Sequence, residues 1–150
     1  MVEKIIKPKK PHFIDGKKFL RRLVVQKNVY NWHKKHGTLD EFSQDPYVID
    51  CYILLCTRLT TKYNFSSYTY KEDMRSEGIM NCFLYWHNFN PDKSTNVFAY
   101  FTTISSQAFI RFIKKEKKQS HVKEEIVRSL SLDLTNNAGY KDFFEKYLDE

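Results

Sequence analysis

The sequence has little glycine and proline, with 4 of each in 150 residues, and it has no long apolar run. Few glycines and prolines, together with the lack of a clear run of alternating apolar residues, favour a helical protein over a β-sandwich or barrel. No apolar run approaches the ~18 residues of a membrane-spanning helix, so no such helix is expected. The basic first residues, MVEKIIKPKKPHF, also lack the apolar region of a signal peptide.

The cysteines are few and form no recognisable pattern. Cys51, Cys56 and Cys82 are odd in number, which suits a reducing compartment. Neither a zinc-finger spacing nor C-x2-C occurs, so no metal is expected, even with His87 near Cys82. The sequence also lacks the P-loop, GxSxG, HExxH and kinase signatures. We therefore expect a protein without a cofactor that is not itself an enzyme.

Positive charge is present in excess, and it is concentrated in two blocks. Residues 1–35 carry 11 Lys/Arg against 2 acidic residues, and residues 111–123 carry 6 against 1. Residues 36–110 carry 5 against 8, and residues 124–150 carry 3 against 7. Two basic blocks favour a polyanionic partner, although lysines that only solubilise the surface would explain the first block equally well.

The spacing of apolar residues predicts a small all-α helical bundle. A first helix is expected over 17–35, a loop with short helical pieces over 36–46, and a helix from Pro46. A Thr69–Glu72 capping box predicts another helix over 70–88, and a turn over 89–96 should precede a helix from Val97 to Lys118. The expected organisation is a basic arm and helix over 1–37, a helical domain over 38–119, and a linker with a flexible acidic-hydrophobic tail over 120–150.

Two of these helices have stripes that should face the core. In the helix from Pro46 the stripe is Ile49, Tyr52, Ile53, Cys56, Leu59, Thr60 and Tyr63, and in the helix from Val97 it is Phe101, Ile104, Ala108 and Phe112.

The outer face of the helix from Val97 has the residue types of a nucleic-acid contact. An aromatic ring can stack on a base, an amide can bond to a base edge, and cations can hold phosphates. The alternative is an ordinary solvated face whose lysines complement the helix dipole. The residues of this face are Tyr100, Thr103, Gln107, Arg111 and Lys114, with Lys115 beside them.

The stretch over 73–111 resembles region 2 of the bacterial sigma factors, the subunits that direct RNA polymerase to promoters. The family pattern is an Asp, then Glu-Gly, then a Phe that closes the helix, then Tyr-x-Thr, Gln-Ala and Arg. Nine residues match this pattern without a gap over 39 positions: Asp73, Glu77, Gly78, Phe89, Tyr100, Thr102, Gln107, Ala108 and Arg111.

A closer resemblance, over residues 52–119, is to the late-transcription sigma factors of T-even-type bacteriophages. The segments KYNFSSYT, HNF and RFIKKEKK carry it. That family is a minimal sigma that keeps region 2 and lacks the module that reads the −35 element. The resemblance implies that this chain acts in the cytoplasm of an infected bacterial host.

The resemblance implies a polymerase-binding face on the predicted helix over 70–88. In sigma factors this helix docks on the β′ coiled coil of core RNA polymerase. Acidic groups near a helix N-terminus can meet arginines of a partner, and a Phe can anchor the contact. The alternative is that the acids only stabilise the first turn and the Phe is core. The implied face is Asp73, Ser76, Glu77, Ile79 and Phe83.

The resemblance also implies that the helix from Val97 reads the −10 element. Tyr100 would stack on a flipped adenine, Gln107 would read the upstream base pair, and Arg111 would contact the backbone. Primary sigmas have two tryptophans where Thr103 and Ile104 stand here. Because both rings are missing, we expect DNA melting to be weak without help, or else restricted to very A/T-rich promoters and assisted by another factor.

The family supplies a helper, a sliding clamp that is gripped by a short C-terminal segment. Phe143, Phe144, Tyr147 and Leu148 lie between acidic residues and would share one side of a helix, which suits insertion into an apolar groove. The same residues could instead fold onto the protein's own core. The segment SLSLDL, at 129–134, is a weaker candidate for binding the clamp.

The expected function is that of a phage late sigma factor that binds host core RNA polymerase and directs it to A/T-rich −10-type promoters. The sliding clamp and a late co-activator would be further partners. Two other functions stay open: a basic helical regulator that binds nucleic acid without polymerase, and an inhibitor that occupies the sigma site on polymerase without initiating.

Overall fold

The protein is described here from a computed structural model, which gives the backbone over residues 13–136 and the side chains over 13–132. All of the regular structure in this part of the chain is helical, and it contains no strand. The prediction of a small all-helical bundle is therefore confirmed. The helices are α1 (Gly16–His36), α2 (Pro46–Thr60), α3 (Tyr63–Ser66), α4 (Lys71–Tyr85) and α5 (Val97–Asn136), with 3-10 turns at Leu39–Glu41 and Trp86–Asn88.

Short polar side chains set where α1, α2 and α5 begin. Asp15 accepts hydrogen bonds from the amides of Lys17 and Lys18 at the start of α1, and Asp45 accepts one from Tyr47 at the start of α2. Asn96 does the same for α5, where its side-chain oxygen lies 3.0 Å from the Ala99 nitrogen. Each cap satisfies an amide that has no partner within its own helix.

The helix start predicted from a Thr69–Glu72 capping box is wrong in its mechanism. Helix α4 begins at Lys71, and its N-cap residue is Tyr70, whose side chain makes no capping hydrogen bond. Glu72 instead forms an ion pair with Arg75, one turn further along the helix. The first turn of α4 therefore keeps its acidic side chains on the surface.

Aromatic rings form much of the core of the first helices and α5. The ring of Phe101 stacks on Phe19 with centroids 5.4 Å apart, and it lies 4.8 Å from the ring of Tyr52. All three side chains are fully buried. Rings of this size remove a large apolar area from water, so this cluster ties α1, α2 and α5 together.

The stripe predicted for α2 is shifted by about one residue. Tyr52, Cys56, Leu59 and Thr60 are buried as expected, but Ile53 is exposed and Ile49 is only half-buried. Tyr63, predicted to end the stripe, lies in α3 and is almost fully exposed. Val48, Cys51 and Leu55 complete the buried side instead.

The stripe predicted for α5 is also partly wrong. Phe101 and Ala108 are buried, whereas Ile104 and Phe112 are only half-buried. Up to Ile110, the residues that complete the buried side of α5 are Val97, Ser105 and Phe109.

The chain divides into two compact units, the first ending at Ile110 and the second beginning at Arg111. Helix α5 is 40 residues long, so it does not end at Lys118 as expected, and it spans the position where a linker was predicted to begin. The described part of the second unit is entirely helical, and its exposed apolar side chains include Val122, Ile126 and Leu130.

Candidate nucleic-acid and partner interfaces

Helix α4 presents an acidic face to solvent. Asp73, Ser76 and Glu77 are all exposed. The Ser76 hydroxyl donates to the Glu72 carbonyl, and Glu77 Oε1 accepts a hydrogen bond from Asn81 Nδ2 at 3.2 Å. These contacts stay within the helix, so the two carboxylates remain available to a cationic partner.

The two apolar residues predicted for the same face are turned further inward. Ile79 and Phe83 are half-buried. The ring of Phe83 packs edge-on against Tyr52 with centroids 5.8 Å apart, and its carbonyl accepts a hydrogen bond from Gln44. Phe83 therefore belongs partly to the core, which leaves only part of its ring for a partner.

Two apolar residues of this surface were not predicted from the sequence. Met80 is 57 % exposed and Leu84 is 55 % exposed. With Asp73 and Glu77 they recur at i, i+4, i+7 and i+11, which places all four on one side of α4. That spacing was the signal that could have found them. The surface thus combines an acidic half and an apolar half.

Gly78 lets α4 approach the core closely. A Cβ atom built on Gly78 would lie 2.5 Å from Cε1 of Phe109 and 3.3 Å from Sγ of Cys56. Both of those side chains are fully buried. Glycine is thus needed here for space, and the close approach fixes the position of the acidic face on the opposite side of α4.

Tyr100 is half-buried and held firmly on α5. Its hydroxyl donates to the Tyr85 carbonyl at 2.8 Å, and its ring packs against Phe89 and Phe101 with centroids 5.2 Å and 5.1 Å away. Burial raises the pKa of this hydroxyl, so it stays protonated as a donor. A ring fixed in this way loses little conformational freedom on stacking against a base.

Thr103 and Gln107 follow Tyr100 on the solvent side of α5. Both side chains are exposed, and the Thr103 hydroxyl donates to the Ala99 carbonyl at 2.8 Å. Ile110, three residues beyond Gln107, is 46 % exposed. An exposed aliphatic group beside an amide suits contact with a thymine methyl next to a hydrogen-bonded base edge. The i+3 spacing from Gln107 could have indicated it.

The three predicted cationic contacts lie in the second unit. Arg111, Lys114 and Lys115 are all exposed on α5. They belong to the basic block over 111–123. The predicted clamp-binding residues, Phe143, Phe144, Tyr147 and Leu148, lie outside the described residues.

The cysteines form a buried cluster with one hydroxyl. The sulfur atoms of Cys56 and Cys82 each lie 3.3 Å from Oγ of Ser105. A hydrogen bond from Cys82 lowers the pKa of Cys56, and the same bond, together with burial, raises the pKa of Cys82. Within residues 13–132 no group of three or more His, Cys, Asp or Glu side chains comes together as a metal site would require.

No family model matches the chain, and no curated protein matches it. In the part of the chain that the structure describes, every helix is too short or too polar to cross a membrane.

Proposed function

We propose that this chain is a minimal sigma factor of the phage late type, which binds bacterial core RNA polymerase and directs it to A/T-rich −10-type promoters. The observation that carries the proposal is the presence of two solvent-accessible surfaces on one helical unit. The acidic-apolar surface consists of Asp73, Glu77, Met80 and Leu84 on α4, and the reading surface consists of Tyr100, Thr103, Gln107 and Ile110 on α5.

The two surfaces have different chemistry, which supports two different partners. Carboxylates beside exposed apolar groups suit a protein surface with arginines and an apolar pocket. A fixed ring followed by an amide and an aliphatic group suits bases that are unpaired or read along an edge. Buried contacts between α4 and α5, at Gly78 and Phe109, hold the helices that carry them in one unit.

The absence of two tryptophans supports assistance by another factor. Thr103 uses its hydroxyl on the Ala99 carbonyl, and Ile104 is half-buried. Neither can replace a large ring at the edge of a melted duplex, where stacking contributes about 1–3 kcal/mol per base. The sliding clamp, gripped through Phe143, Phe144, Tyr147 and Leu148, remains the proposed helper.

The test is a gel-shift assay in which this chain and sigma-free bacterial core polymerase are mixed with a duplex that carries an A/T-rich −10 element. Retention means that the duplex migrates more slowly because it is bound. The chain is expected to confer retention that neither the chain nor the core shows alone. Retention of the duplex by the chain alone, unchanged by core, would favour the basic regulator. A chain that binds core but never retains the duplex would favour the inhibitor.

Gln107→Ala is expected to reduce the discrimination between cognate and mismatched promoter duplexes in this assay. Each good pair of hydrogen bonds to a base edge discriminates against a wrong base by about 1–3 kcal/mol. The ratio of retained cognate to mismatched duplex should therefore fall by about fivefold or more. Gln119→Ala is the matched control, because it removes the same amide from an exposed position of α5 that lies outside the reading surface. An unchanged ratio in Gln107→Ala would remove this residue from base reading.

Deletion of residues 140–150 is expected to remove stimulation by a loaded sliding clamp and nothing else. These residues carry the four proposed anchors and four acidic groups. Basal retention of the duplex with core polymerase should stay within about twofold of the full chain. Stimulation that survives the deletion would assign the clamp contact to another segment, with SLSLDL at 129–134 as the next to test.

A further inference from the structure

Helix α1 carries an unusual amount of uncompensated charge. Its 21 residues include seven Lys or Arg and no acidic residue. Arg22 pairs with Asp45 at 3.2 Å, and Lys27 donates to the Phe89 carbonyl. Among the described residues no ion pair is formed by the other exposed cations of α1, which are Lys17, Lys18, Arg21, Lys34 and Lys35. The Lys18 ammonium lies over the ring of Tyr47, 4.4 Å from its centroid.

The same helix has an exposed aromatic ring that packs on two histidines of α1. Trp32 is 56 % exposed, and its ring meets that of His33 edge-on, with centroids 5.0 Å apart. One face of the indole stacks on the imidazole of His36, with centroids 4.2 Å apart at 26°. His36 is held there because its Nδ1 donates to the Trp32 carbonyl at 2.8 Å. The indole is therefore in contact with two neighbours on its own helix, and more than half of the side chain still faces solvent.

These groups share one side of α1. Arg21, Val25, Asn28 and Trp32 recur at i, i+4, i+7 and i+11, and all four are exposed. Phe19 and Leu23 point to the other side and are buried in the core. The outer side of α1 therefore has a cation at one end, an amide near the middle and a tryptophan towards the other end, over about 16 Å.

We infer that the outer side of α1 is a second nucleic-acid contact, one that binds a single strand. An unpaired base stacks on the free part of the Trp32 ring, completing a stack with His36, while Arg21 and the lysines at both ends of α1 hold phosphates. Asn28 lies between them and can bond to a base edge. This site is separate from the reading surface on α5 and needs no polymerase.

A membrane surface fits this side of α1 less well. Helices that lie in a membrane interface present a wide apolar face. Here the exposed apolar side chains are Val25, Val29 and Trp32, and they alternate with Asn28 and His36. The stripe is narrow and interrupted by polar groups, which favours a partner with both aromatic bases and phosphates.

The test uses the two tryptophans of the full chain. Trp86 is 3 % exposed, whereas Trp32 is exposed, so the red-shifted part of the emission reports on Trp32. Adding a 12-nucleotide oligothymidylate at low salt is expected to quench that component. Trp32→Ala should weaken binding, measured by anisotropy of a labelled oligonucleotide, about 5- to 150-fold, and Trp32→Phe should restore part of it.

Charge variants distinguish binding at this site from non-specific electrostatic attraction between the basic chain and the oligonucleotide. Arg21→Glu with Lys35→Glu should reduce the slope of log affinity against log salt by about 1 or more. Lys62→Glu with Lys93→Glu makes the same change of net charge at exposed positions outside α1 and should leave oligonucleotide-induced Trp32 quenching intact. The assay contains neither polymerase nor promoter duplex, which keeps the result independent of the proposed sigma function.

Three outcomes would overturn the inference. One is quenching of Trp32 by vesicles of mixed anionic and neutral lipid but not by oligothymidylate. Another is equal binding of polyglutamate, which would reduce the site to charge alone. The third is unchanged oligonucleotide affinity in Trp32→Ala, provided that its far-UV circular dichroism matches that of the unmodified chain.

Discussion

Replacing Gly78 with alanine is expected to lower the free energy of unfolding by about 1–3 kcal/mol, although alanine is the better helix former. The added Cβ would lie 2.5 Å from Cε1 of Phe109. That ring is fully buried and packs edge-on against Phe65 at 5.1 Å, so it has little room to retreat. Overpacking therefore outweighs the gain of about 1 kcal/mol in helix propensity. Thermal and urea unfolding measure the change.

Gly16→Ala is the matched control for this substitution. A Cβ atom there would meet only the ring of Phe98, at an ordinary 3.5 Å, so the stability should hold or rise slightly. Phe109→Leu removes the clashing ring atoms, so the double variant with Gly78→Ala should be more stable than the two separate losses add up to. A Gly78→Ala protein as stable as the original would contradict the close approach of α4 and α5.

Glu77→Lys is expected to weaken binding to sigma-free core polymerase by about 30-fold or more while leaving the fold intact. Glu77 is exposed, and its carboxylate bonds to Asn81 on its own helix, so folding should hardly change. At the proposed interface the same carboxylate would meet basic groups. Loss of one partner of such a pair costs about 2–5 kcal/mol, and reversal of the charge adds repulsion.

Glu41→Lys provides the same change of net charge at another exposed acidic residue, in the 3-10 turn Leu39–Glu41. It should bind core polymerase within about twofold of the original chain. Fluorescence anisotropy of the labelled chain, titrated with core at two salt concentrations, measures both variants. Equal weakening in both would mean that net charge, rather than the face of α4, controls binding.

Helix positions were largely predictable because their local signals are strong. Pro46 begins α2, and the turn that contains Pro91 precedes α5, as expected. The end of α1 is set by Gly37, whose φ of 70° lies in the left-handed region that glycine adopts without strain. Such signals depend on a few neighbouring residues, so the sequence alone displays them.

Which side of each helix is buried was harder to predict, because this depends on partners distant in the sequence. Ser105 is fully buried since its hydroxyl lies between the sulfurs of Cys56 and Cys82, a setting that the local pattern of α5 does not contain. Once Ser105 faces inward, Phe109 follows it into the core and Ile104 turns partly outward. The apolar pattern alone placed Ile104 in the core stripe and left Ser105 and Phe109 out of it.

The candidate surfaces were predicted unevenly for the same reason. Asp73, Ser76 and Glu77 are exposed polar residues whose facing the periodicity of α4 reproduces. Met80 and Leu84 were missed because exposed apolar side chains look like core in a sequence. Tyr100 was predicted on the outer face of α5, but it is half-buried because its ring packs on Phe89 and its hydroxyl bonds to the Tyr85 carbonyl. Both contacts depend on the path of the chain after α4.

Run-off transcription from a template with an A/T-rich −10 element tests whether this chain acts as a sigma factor. Sigma-free bacterial core polymerase and this chain are incubated on it, with and without the phage sliding clamp loaded. Transcripts from one specific start are expected, and they should require the chain and increase with the clamp. The absence of a specific start under every condition, with the clamp loaded as well, would contradict the proposed function.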